Sequence, residues 1–127
     1  MIKLTFVIRR KPGVEAAEFH RYWRDEHAQL VATHAQTLRV RRYVQSHRIE
    51  TPIDAALAGS REITGEPYDG IAELWWDSIE DLVAVMSEEA GVAASTALLE
   101  DEARFIDVPA SAIWLNEEHE ILVEPAA

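Results

Sequence analysis

The chain contains no cysteine. Disulfides, thiolate zinc sites, iron–sulfur ligation and a thiol nucleophile are thereby excluded. Basic residues are scarce, 12 against 23 acids, for a net charge of −11. Nucleic-acid binding draws its affinity from Lys and Arg on phosphate, so that class of partner is not expected. No apolar run approaches the ~18 residues of a membrane span, and no membrane association is expected. The opening residues lack the basic head, apolar stretch and small-residue cleavage site of a leader, which makes a cytoplasmic protein the expectation. A glycine-rich phosphate loop, a dinucleotide fingerprint and a nucleophile elbow are also missing. No cofactor is expected.

What is present is 127 residues, 48% of them hydrophobic. That composition suits one globular domain over residues 1–127, able to bury roughly two-thirds of its unfolded surface without a metal or disulfide staple. Its charge is unevenly spread. Residues 1–48 hold ten bases and four acids, and residues 49–127 hold two bases and 19 acids. The halves are expected to attract each other, with several of Arg39, Arg41, Arg42 and Arg48 meeting acids of the second half. The alternative use of the arginines is an anionic substrate.

Ile2 to Ile8 alternates as a strand, and Pro12-Gly13 ends it. Glu15 to Gln36 reads as one long helix, with acids at its positive end and Phe19, Tyr22, Trp23, Leu30 and Val31 on a stripe. Leu38 to Arg48 reads as a second strand, with Leu38, Val40 and Val44 opposite Arg39, Arg41, Tyr43, Gln45 and His47. Residues 49–69 are irregular apart from a short helix near Asp54–Ala58, and a loop this long is often functional. Gly70 to Trp76 reads as a third strand. Ser78 to Asp81 has the form of a capping box before a helix to about Glu89. Gly91 interrupts, and Val92, Thr96, Leu99 and Ala103 carry a further helix to about Arg104. Ser111 to Val123 reads as the last strand.

Two β-α-β units in this order predict an α+β fold, a ferredoxin-like antiparallel sheet with helices on one face. The bare face needs a cover. A second copy is the simplest one, giving a homodimer.

Trp23 and His27 stand four apart, on one helix face. Burial beside an aromatic wall would keep the imidazole neutral and able to exchange a proton. The plainer reading is a structural histidine bonded to a carbonyl or carboxylate. His20, His27 and His34 recur every seven residues, a rise of ~10.5 Å per step, so neighbours cannot share one metal ion. Tyr22, Trp23, Tyr43, Tyr68 and Trp75 supply aromatic surface for a planar apolar ligand, or for ordinary packing. Trp75 and Trp76 point to opposite faces of their strand, as do Glu118 and His119.

Phe19-x-x-Tyr22-Trp23-x-x-x-His27, Leu30-Val31, Tyr68-Asp69-Gly70, Glu73-Leu74-Trp75, Phe105-Ile106-Asp107 and Glu117-Glu118-His119 follow one another along nearly the whole chain. In this order they resemble the EthD family of dimeric α+β barrels. The resemblance implies two sheets packed across a homodimer and a cavity between sheet and helices in each subunit. Fungal relatives are cofactor-free dehydratases or cyclases on aromatic polyketide intermediates, and wider relatives isomerise lactones or oxidise phenolic rings without a metal. By resemblance His27 is the leading catalytic residue. Glu73 matches an acidic position on the third strand, and Glu118 with His119 matches the terminal acidic-His pair.

Two functions are therefore expected as rivals. One is a lyase, cyclase or isomerase using His27, assisted by Glu73, Tyr43 or His119, on a small apolar or aromatic carbonyl compound. The other is a non-catalytic small-ligand-binding or accessory protein.

Overall fold

Four strands form one antiparallel sheet in a computed structural model that describes residues 1–126. Strand β1 (Ile2–Ile8) and strand β3 (Gly70–Trp76) hold its centre, with β2 (Arg42–His47) outside β3 and β4 (Ala112–Asn116) outside β1. Between β1 and β2 run α1 (Ala16–Tyr22), a π-helical stretch (Trp23–His27) and α2 (Ala28–His34). The β2–β3 connection carries α3 (Ile53–Gly59). Helices α4 (Ile79–Ser87) and α5 (Glu89–Glu102) lead to β4 through a 3₁₀ turn at Val108–Ala110. This is the ferredoxin-like order β2-β3-β1-β4.

The register sorts side chains between the two faces, because successive strand residues alternate. Leu4 pairs with Leu74 and Phe6 with Ala72, and these turn toward the helices. There Ile8, Phe19, Trp23, Ala72, Phe105 and Ile106 form the main core. Lys3 pairs with Trp75, Thr5 with Glu73 and Thr5 with Trp114, all on the opposite, open face. A smaller core joins Leu38, Val85 and Ala94, and the Trp76 indole N–H donates to the Leu38 carbonyl at 2.7 Å.

Four local outcomes differ from the sequence expectation. The long helix contains a π turn, which lets Phe19, Trp23, His27 and Val31 all stay buried at a strict four-residue spacing. In a pure α-helix each such step overshoots a turn by about 40°, and three steps would carry Val31 well off the face of Phe19. Strand β2 starts only at Arg42, because Arg39 takes a left-handed backbone (φ 59°) and Leu38 turns into the α4–α5 cluster. The break between α4 and α5 falls at Glu88 (ψ 140°), and Gly91 lies inside α5. A Cβ at Gly91 would sit 2.1 Å from the Val85 carbonyl oxygen, so the glycine allows the close approach of the two helices. The inward stripe of α5 is Ala94 and Leu98, while Val92 and Leu99 are exposed. Strand β4 ends at Asn116, opposite Lys3, where β1 has almost run out of partners.

Ser78 caps α4 as read, its Oγ accepting from the Asp81 N–H at 3.1 Å. The halves do attract each other: Arg39 reaches Glu88 at 3.1 Å, Arg41 lies 3.7 Å from Asp77 and Arg48 bonds Asp54 at 2.9 Å. Arg42 instead stacks over Trp75. No single helix among the described residues is long and apolar enough to cross a membrane.

Candidate active site

The π turn delivers His27 to the inner side of the helix layer, where it is 5% exposed. Its Nδ1 lies 2.7 Å from Asp101 Oδ2 at the end of α5. The Tyr22 hydroxyl donates to the other oxygen of the same carboxylate at 2.5 Å. Burial pushes the Asp101 carboxyl up, but these hydrogen bonds and the neighbouring positive charge outweigh it and hold the group below its usual range. An ionised Asp101 only accepts, so His27 Nδ1 carries a hydrogen. Burial lowers the His27 pKa, and Asp101 offsets this only in part. The ring is therefore neutral near pH 7, and its lone pair stands on Nε2. That atom has no hydrogen-bond partner among the described residues. The Tyr22 phenol, buried and bonded to Asp101, is pushed up to about 12 and stays a donor.

A small cavity of about 60 Å³ opens beside His27, between the helices and the sheet. Phe6, Trp23, Leu74 and Leu98 give it apolar walls, and His27, Tyr43 and Glu102 are its polar groups. Burial first, and the Asp101 charge second, raise the Glu102 carboxyl to about 7. It is thus a carboxylic acid able to donate in mildly acid or neutral solution.

Tyr43 is set from the other side. The Gln45 amide donates one hydrogen to the Tyr43 oxygen at 2.8 Å and another to the Trp23 carbonyl at 2.9 Å. Its own oxygen faces His47 Nε2 at 2.7 Å, which must then carry a hydrogen. His47 Nδ1 is left to accept from His20 Nδ1, 2.7 Å away. Because Tyr43 accepts from Gln45, its hydroxyl hydrogen remains for an acceptor in the cavity. Burial raises the Tyr43 pKa, which keeps that hydrogen in place.

Of the residues singled out from sequence, the structure brings His27, Trp23 and Tyr43 to one cavity, with Tyr22 just behind it on Asp101. It does not bring Glu73, which lies on the open face in an ion pair with Lys3 at 2.7 Å. Strand alternation is the reason: Leu74 faces the cavity, so Glu73 must face away. Trp75 shares that open face, between Lys3 and Arg42, with its indole N–H on Glu118. His119 is exposed beyond the end of β4 and, among the described residues, pairs with Glu117 at 3.7 Å. Tyr68 lies on a separate surface groove, under the Arg9 guanidinium at 3.9 Å. Asp101 and Glu102 escaped the sequence reading inside an acidic run. The signal was present, since Ala94, Leu98, Asp101 and Phe105 share one helical stripe, and an acid on a buried stripe needs a partner.

Fold and geometry define a class: ferredoxin-like α+β proteins with a helix-borne His–Asp pair on a cavity between helices and sheet. The EthD domain matches residues 11–109, and the chain belongs to that family. No curated protein matches it. Among solved structures it is similar to an EthD family protein from Bacillus halodurans (18% identity, TM-score 0.61, covering 94% of this chain and 99% of that one). A dimeric protein of unknown function with a ferredoxin-like fold from Bacteroides fragilis is also similar (13%, 0.57, 92% and 95%). So is SnoaB, a cofactor-independent oxygenase from Streptomyces nogalater (17%, 0.50, 96% and 98%). At these identities the likeness is one of fold.

Proposed function

We propose that the protein is an enzyme that moves a proton on a small apolar or aromatic carbonyl compound, of the kind found in polyketide pathways. The observation that carries this reading is the neutral His27, held in one tautomer by Asp101 on the wall of an apolar cavity that also presents Tyr43 and Glu102. His27 Nε2 takes the proton from the carbon beside the carbonyl. The electron pair moves onto the carbonyl oxygen, which accepts hydrogen bonds from the Tyr43 hydroxyl and protonated Glu102. Return of the proton to another atom completes an isomerisation, or a dehydration or cyclisation when a leaving oxygen or a second carbonyl is in reach. The cavity volume, about 60 Å³, is close to that of ~2 waters and suits the reacting end of such a molecule.

Exchange in heavy water tests this without knowledge of the natural product. Aryl ketones and β-diketones are expected to gain deuterium beside the carbonyl in the presence of the protein. The rate should follow a bell in pH. It falls on the acid side as His27 gains a proton, below the ordinary 6.5 because burial lowers its pKa. It falls on the alkaline side as Glu102 loses its own, at about 7. Protein-independent exchange across such a panel would sink the proposal.

The open face supports a homodimer. Trp114 is 49% exposed and Ile71 37% exposed there, on the side of the sheet that bears no helix. Burying that face against a second copy is favourable by the hydrophobic effect. Light scattering at micromolar concentration is expected to give twice the chain mass; the mass of one chain would refute it.

A further inference from the structure

The long β2–β3 connection builds a groove that the His27 cavity does not use. It has a volume of about 1000 Å³ and shares no lining residue with that cavity. Leu57, Ala58, Ile63 and Tyr68 make its apolar wall, and Leu57 and Ile63 are each more than half exposed. Three arginines, Arg9, Arg48 and Arg61, also line it.

Two of those arginines, Arg9 and Arg61, are unusual for this chain. Acids outnumber bases 23 to 12, and most cations stand against a carboxylate. Arg9 and Arg61 have none within 4.0 Å among the described residues. Among the described residues the Arg9 guanidinium donates to the carbonyls of Glu66 and Pro67, and that of Arg61 to the Leu57 carbonyl and the Ser60 hydroxyl. Arg61 is also one of just two bases after residue 48. Arg48 does meet Asp54 and lies 4.0 Å from Glu50, and its Nε is buried without an acceptor among the described residues. Arg48 is therefore already engaged, and its Nε is closed to the groove; the donors free for a ligand are those of Arg9 and Arg61. The Arg9 guanidinium carbon lies 3.9 Å from the centre of the Tyr68 ring, which helps to place its donors. Asp54 and Glu66 line the groove too, and against three arginines they leave it net positive in an acidic protein.

We propose that this groove is a second ligand site, and that its ligand is a small amphipathic carboxylate. The hydrocarbon body lies on Leu57, Ile63 and Tyr68, and the carboxylate accepts from the guanidinium groups of Arg9 and Arg61. A planar, bidentate acceptor fits a guanidinium fork better than a point anion does, and the apolar wall adds affinity that inorganic anions cannot use.

Naphthoate is the probe, titrated into isotope-labelled protein and read by amide proton–nitrogen correlation spectra. Saturable shifts are expected at Ala55, Leu57, Ala58 and Gly65. Naphthalenemethanol has the same body without the charge, and inorganic phosphate the charge without the body. Each is expected to bind about tenfold more weakly or not at all. Arg9→Gln with Arg61→Gln should cost at least about tenfold in affinity. Arg61→Glu alone, on an exposed side chain whose contacts are all local, gives the same loss with less risk to folding. His27→Gln should leave these shifts in place, which separates this site from the catalytic proposal. No saturable binding, equal binding of the alcohol, undiminished binding by Arg61→Glu, or shifts confined to the surroundings of His27 and Tyr43 would each overturn it.

Discussion

Deuterium exchange is expected to fall about 10²–10⁴-fold in Asp101→Asn, nearly as far as in His27→Gln. The change replaces one oxygen by an NH₂ group and leaves size and packing almost untouched. In the native protein Asp101 accepts from His27 Nδ1–H at 2.7 Å and from the Tyr22 hydroxyl at 2.5 Å. An asparagine has one acceptor oxygen for these two donors, and its amide nitrogen must face one of them. A phenol can donate or accept; with Tyr22 kept as the donor it is in the native pair, the oxygen goes to Tyr22 and the NH₂ to His27. In that arrangement His27 Nδ1 is the acceptor, and the hydrogen moves to Nε2, where the base needs its lone pair. Imidazole nitrogen chemical shifts report the tautomer directly, with no substrate present. The expected result is Nδ1–H in the wild type and Nε2–H in Asp101→Asn, alongside the lost exchange. An unchanged tautomer with lost exchange would mean that Asp101 acts otherwise than by orienting His27. An unchanged rate would remove the pair from the mechanism.

The second large effect is on stability. Trp23 is 1% exposed and packs against Phe19, His47 and the backbone of Gly70. Trp23→Ala is expected to cost about 3–5 kcal/mol, from lost burial and the void left behind. The thermal midpoint should drop by roughly 15 °C for a domain of this size. Gly70 is the other half of the same contact. A Cβ there would lie 2.4 Å from the Trp23 ring and 2.8 Å from the Ser46 carbonyl oxygen. Gly70 pairs with Ile8 on one side and His47 on the other, so its backbone cannot retreat. Gly70→Ala is expected to destabilise by about 2–3 kcal/mol through overpacking. The two changes share one cause, and combining Gly70→Ala with Trp23→Phe should recover part of the loss. Full additivity in the double variant, measured by thermal and urea unfolding, would show that the contact is not what limits either site.

Strands were the most legible part of the sequence, for a physical reason. In β1 apolar residues at 2, 4, 6 and 8 alternate with Lys3, Thr5 and Val7, β3 is a short, mostly apolar run opened by Gly70, and the expected bounds of both match the observed ones. The apolar pattern overruns the last strand, which ends at Asn116. Ile121, Leu122 and Val123 continue the apolar pattern, but β1 offers no pairing positions beyond Lys3 and Ile2. A strand is a property of two segments, and one segment's pattern cannot show where its partner stops. The π turn left no mark that periodicity could separate from an ordinary helix. Its trace lies in the unbroken four-residue spacing of Phe19, Trp23, His27 and Val31, visible only once all four are known to be buried. His27 stood out from sequence through its place after Tyr22-Trp23. Its partner Asp101 did not, because 74 residues separate them and only the fold brings α5 over the π turn. Glu73 and His119 fell the other way. Their residue types suited the chemistry, and strand alternation and the early end of β4 keep both from the cavity.

The chain's four tryptophans are divided evenly by the sheet. Trp23 and Trp76 lie in the helix layer, both at most 5% exposed. Trp75 and Trp114 stand on the open face, one covered by Lys3, Arg42 and Glu118 and the other half in solvent. The molecule thus carries two intrinsic fluorophores for each side. Indole emission moves to shorter wavelength as water leaves the ring, so the proposed pairing of two open faces would be written in the light of Trp114 while the inner pair stays constant. Loosening of the helices over the sheet would redden Trp23 and Trp76 first. Assembly and unfolding can therefore be followed separately in the unlabelled protein, by colour.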